Sequence, residues 1–161
     1  MSMAPVTATT QRDIFVLLIE QEELIGALYK VYQKLFPELD AFWGPLVEAE
    51  YRHAALLQQL AGRIDSVTLF FDPGNFNTVG LRFSCEHVRK QIQFASTQPI
   101  TLLRALATAM DLETSLIEKE FFRVATPETP AGRMEFQTLF METQEHRGRI
   151  AARLAEERER Q

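Results

Sequence analysis

Apolar positions recur every three or four residues along most of this chain, the spacing of amphipathic helices. Ile14, Leu18, Ile25, Tyr29, Tyr32 and Phe36 define one face of a first helix expected from about Thr10 to Phe36. A second helix is expected over Leu39–Arg63, with Gly44-Pro45 near its start, because proline fits a first turn and disrupts an interior. A third is expected over Ile100–Ala125, opened by Pro99 and closed before Thr126-Pro127. The fourth is expected from Ala131 through Ala155, running into a solvated, fraying tail, Glu156–Arg160.

The stretch from 65 to 98 breaks the pattern. Ser66–Phe71 has the apolar, β-branched character of a strand, but Asp72-Pro73-Gly74-Asn75 follows as a turn and no partner strand is evident. Cys85–Ala95 reads as a short helix. The stretch is therefore expected to be a long crossover carrying that helix, with a small sheet packed on helices as the alternative. Two hairpins joined by one long connection describe an all-α, ferritin-like four-helix bundle in a single domain.

The second apolar stripe is interrupted where it matters. Leu46, Glu50, His53, Leu57, Leu60 and Ile64 advance by threes and fours, so Glu50 and His53 stand on the core face. A buried carboxylate–imidazole pair is costly unless compensated, and Glu-x-x-His on a bundle helix is a di-iron or di-manganese ligand pattern. In the first helix Glu22 falls among Leu18, Ile25 and Tyr29. Glu23 lies off that line, and Glu20 flanks a secondary stripe of Leu24, Leu28, Val31 and Leu35. Glu113 lies among Leu106, Met110, Ile117 and Val124 in the third helix, and Glu118 reads as surface. His146 lies between Leu139 and Ile150 in the fourth, where Thr143 stands three residues before it and Glu142 four before. Each residue alone has a bland reading: a glutamate at a stripe's edge, a hydrogen-bonded core histidine. All four expected helices carry one, and that coincidence points to a shared cation site. A faint repeat agrees: Glu22 precedes His53 by 31 residues, and Glu113 precedes His146 by 33.

Composition narrows the alternatives. The 161 residues are 46% hydrophobic and 24% charged, suited to one globular domain. A net charge of −5 argues against broad nucleic-acid binding. One cysteine, Cys85, excludes an internal disulfide and a paired-cysteine electron-transfer module. No apolar run reaches the ~18 residues that span a bilayer, and Met1–Thr10 lacks a signal-like pattern, so a cytoplasmic location is expected. His87 and Trp43 read as surface and packing residues.

These residues resemble the rubrerythrin branch of the ferritin-like superfamily. The resemblance covers Glu22 with Tyr29, Phe42-Trp43 leading to Glu50-x-x-His53, Ala107-x-x-x-Asp111-Leu112-Glu113, and His146. It implies a non-haem di-iron centre held by Glu22, Glu50, His53, Glu113 and His146, with manganese or zinc as alternative metals. It implies oxidoreductase chemistry on peroxide, dioxygen or ferrous iron, an external electron donor and a homodimer. Tyr29, or Tyr32 near it, and Thr143 would stand behind the ligands. The departure is Thr143, which occupies the place of the family's helix-four glutamate; Glu142 is the candidate replacement. A degenerate site on a scaffold or partner-binding protein is the reading that Thr143 favours.

Overall fold

The computed structural model describes the backbone of residues 8–63, 78–118 and 130–161, and side chains over 11–63, 78–116 and 133–161. Its helices are α1 (Ala8–Leu35), α2 (Asp40–Ala61), α3 (Thr78–Thr97), α4 (Leu102–Glu118) and α5 (Pro130–Glu159), with a 3₁₀ turn at Pro37–Leu39. No strand occurs among the described residues, so the chain is all-α there. The strand-like Ser66–Phe71, and the expected third helix beyond Glu118, lie outside them.

Pro37 ends α1, and the 3₁₀ turn that it opens reverses the chain into α2. Pro45 lies inside α2 rather than in its first turn. It therefore costs that helix one internal hydrogen bond, and its ring sits at an exposed position.

Helices α1 and α2 form a closely packed hairpin, α4 and α5 pack along each other, and α2 also meets α5. The core between them follows the stripes read from sequence: Ile14, Leu18, Ile25, Tyr29 and Tyr32 on α1, and Trp43, Leu46, Leu57 and Leu60 on α2, all buried. Each such side chain contributes on the order of 2 kcal/mol by leaving water. Ala105, Leu106, Ala109 and Leu112 line α4, and Phe136, Leu139, Ile150 and Leu154 line α5.

Two expectations need correction. The crossover helix is not short: α3 spans 20 residues, and Leu81, Cys85, Val88, Ile92 and Ala95 give it an unbroken apolar face against the core. That face lies on α1, so α1 is buried on two sides. Gln21 donates to the Ser84 hydroxyl at 2.8 Å and the Cys85 thiol points at the Leu17 carbonyl. This explains α1's second apolar line. The C-terminal tail is likewise helical to Glu159, where Arg153 pairs with Glu156 and Glu157 one turn on.

Candidate metal centre

Six polar side chains interrupt the core at one level, and each comes from a helical stripe that would otherwise carry leucine. Helix α1 supplies Glu22, α2 supplies Glu50 and His53, α4 supplies Glu113, and α5 supplies Thr143 and His146; all are buried, His146 the least at 6% exposed. The competing glutamates lie outside: Glu20 pairs with Arg89, and Glu23 accepts a bond from Gln58. Glu145 and His87 are exposed. Glu118 and Glu120 fall outside the described side chains.

The ligand-type atoms form two groups that share a member. Glu22, Glu50 and His53 offer donor atoms within 4.8 Å of one another, and so do Glu50, Glu113 and His146. His53 Nδ1 lies 3.6 Å from Glu22 Oε2 and 3.7 Å from Glu50 Oε2. His146 Nδ1 lies 2.9 Å from Glu50 Oε1 and 3.9 Å from Glu113 Oε1. The two imidazoles stack with centroids 5.4 Å apart. Glu50 thus presents one oxygen to each half.

The atoms at the middle have little to satisfy them. Glu22 Oε2, both oxygens of Glu50, Glu113 Oε2 and Nδ1 of each histidine are fully buried without a properly formed hydrogen bond. A buried polar atom left so costs on the order of 1–3 kcal/mol, more when charged. Six of them facing one another form a group that could hold metal ions. Carboxylate oxygens with imidazole nitrogens suit iron, manganese or zinc. Two buried clusters able to hold metal ions are therefore present.

His53 Nε2 and Glu113 Oε1 do have partners. His53 turns Nε2 toward Glu142 Oε2 at 2.7 Å, away from Nδ1 and its carboxylates. Glu142, which sequence offers as a replacement ligand, is half-buried and lies at Nε2, on the opposite side of the His53 ring from Nδ1 and its carboxylates. Tyr29 donates to Glu113 Oε1 at 2.7 Å. Tyr32 pairs with Thr108 and takes no part. The Thr143 hydroxyl donates to its own helix at the Leu139 carbonyl, 2.8 Å, which leaves α5 with an imidazole and no carboxylate at the centre.

Without metal the cluster is held together by protons. Burial, and then the neighbouring Glu50 charge, push the Glu22 carboxyl up to about 8. Glu113 is raised well above its ordinary value for the same two reasons. Burial opposes charge on Glu50 too, but the facing His146 and His53 imidazoles prevail and hold it ionised well below the usual range. His53, against the pull of burial, rises to about 11 because the Glu22 and Glu50 carboxylates face its ring. Burial and Glu113 keep the Tyr29 phenol protonated. A cation pair would replace these protons with bound charge.

No family model, curated protein or solved structure matches the chain.

Proposed function

We propose that this chain is a ferritin-like, di-metal carboxylate oxidoreductase that loads two iron ions and acts on peroxide or dioxygen. One observation carries this: two buried Glu/His sets from four helices share Glu50, and six of their oxygen and nitrogen atoms are buried without a hydrogen-bond partner. Glu22, Glu50 and His53 would hold one ion, and Glu50, Glu113 and His146 the other.

Held by these residues, a ferrous pair would supply two electrons, one from each ion, to an oxidant. The chain's own residues set the conditions. Three carboxylates and two imidazoles are too few side chains to fill two iron coordination spheres, and Thr143 contributes none, so places remain for a small oxidant. Glu142, 2.7 Å from Nε2, holds the His53 ring with Nδ1 turned toward Glu22 and Glu50. Tyr29, held as a phenol, fixes Glu113 and keeps an O–H beside it. The surrounding leucines and aromatics exclude water, which limits leakage of electrons to solvent. Reduction of peroxide to water consumes two protons as well as two electrons. With metal bound, Glu22, Glu113 and His53 have released their protons, so these two enter from outside the set of ligands. Restoring the ferrous pair requires an external donor, in keeping with a chain whose only cysteine is buried Cys85.

Thr143 supports a second reading, a helical scaffold whose centre no longer takes metal. Iron analysis of protein purified from iron-supplied cells separates the two. The enzyme reading expects about two irons per chain, and loss of both in Glu50→Ala, which removes the shared oxygens. Metal-free protein whose melting temperature ignores added iron would establish the scaffold.

A further inference from the structure

A cation has to reach a centre that is closed on nearly every side. Glu22, Glu50, His53 and Glu113 are sealed, whereas His146 retains slight exposure and the Glu142 side chain is 35% exposed. These two also form part of the wall of a cavity of about 200 Å³ in the seam between α2 and α5. Ala49 is the smallest wall residue and is itself buried beside Glu50 in the chain. The seam is open there because alanine leaves it open.

The charges around the mouth are sorted. Arg52 leans toward Glu142, 3.9 Å away, and Arg149 lies over the Phe42 ring at 6.0 Å. Both guanidiniums are thereby directed at a wall. Glu48 from α2 and Glu145 from α5 are exposed and have no ion-pair partner among the described residues. Two free carboxylates thus face solvent at the rim, and behind them stand His146 and the unsatisfied atoms of the centre.

We propose that this α2–α5 cavity is the loading port of the centre, with Glu48 and Glu145 capturing a hydrated divalent cation before it passes Ala49 to His146. The proposal rests on the di-metal reading and adds the route. Neither rim glutamate belongs to the set of ligands, so each governs the rate of loading and not the number of ions held. Rim carboxylates raise the local concentration of a cation and its rate of capture, an effect that salt screens.

The test uses the full chain, Co²⁺ as the probe, and stopped-flow absorbance for the rate, with a calorimetric titration for stoichiometry. Glu48→Gln with Glu145→Gln is expected to slow uptake about 3–10-fold at low salt, to match the unmodified protein at high salt, and to hold the same number of ions. Ala49→Leu, which fills the seam, is expected to slow uptake at every salt concentration. Should Ala49→Leu fail to fold, the rim variant decides alone, since its changes are on the surface. Unchanged rates overturn the port and leave the centre standing; so does a lower stoichiometry in the rim variant, which would make the glutamates ligands. No Co²⁺ uptake by the unmodified chain overturns the centre and the port together.

Discussion

Glu142 shows how much a single side chain can do from behind a ligand. Its 2.7 Å contact with His53 Nε2 holds the ring with Nδ1 facing Glu22 and Glu50. Such outer partners are worth about 10–100-fold in metal affinity. Glu142→Ala is therefore expected to weaken Co²⁺ or Zn²⁺ binding by about that factor while leaving the stoichiometry intact, as read by calorimetric titration. A lost equivalent of metal would show instead that Glu142 is itself a ligand. Projection along a helix could not separate these roles. Glu142 lies some 40° from His146, close enough to lean inward, and only the position of the His53 ring on the facing helix settles its direction. Glu22 was legible for the opposite reason: its neighbours Leu18, Ile25 and Tyr29 mark the buried line, and Glu20 and Glu23 fall off it. Tyr29 could be placed near the centre from sequence, but its bond to Glu113 depends on the approach of α4.

Helix α1 is held against α2 at the level of the centre by Gly26. A Cβ there would meet Glu50 Cβ and the Tyr51 ring, each at 3.3 Å. Tyr51 is half in solvent and can swing aside, whereas Glu50 Cβ is tied to its helix. Gly26→Ala adds about 1 kcal/mol of helix propensity, which offsets much of the crowding. Its expected signature is a melting temperature within a few degrees of the parent's and a markedly weaker affinity for metal, because Glu50 must shift and both ions depend on it. Equal losses in stability and affinity would mean that the contact is merely structural. At this scale the periodicity delivered α1, α2 and α5 to within a few residues, apart from the tail. It understated α3, because Asp72-Pro73-Gly74-Asn75 and the scattered polar residues of 78–97 read as a linker. The apolar line from Leu81 to Ala95 has meaning only once α1 is known to be buried on two faces.

Across the whole molecule, the protons that stand in for metal make stability depend on pH in a direction unusual for an acidic protein. A group with a raised folded-state pKa stabilises fully below its unfolded value and loses that contribution as pH climbs through the folded one. Glu22 therefore withdraws stability from 4.5 up to about 8, and His53 from 6.5 up to about 11. Glu50, depressed, acts the other way and matters only as pH falls below its ordinary 4.5. The metal-free protein is thus expected to melt highest at or a little below pH 4.5 and progressively lower toward pH 8. Added Zn²⁺ should raise the melting temperature more at each step up that interval, since fewer protons remain to be displaced; a flat profile in both states would show that the cluster is not proton-bridged. The same core offers a way to watch this. Trp43, the chain's single tryptophan, packs 5.6 Å from the Tyr29 ring, whose hydroxyl rests on Glu113. Its ultraviolet emission should consequently fade as Co²⁺ enters and persist with colourless Zn²⁺, a native optical gauge of occupancy that requires no dye.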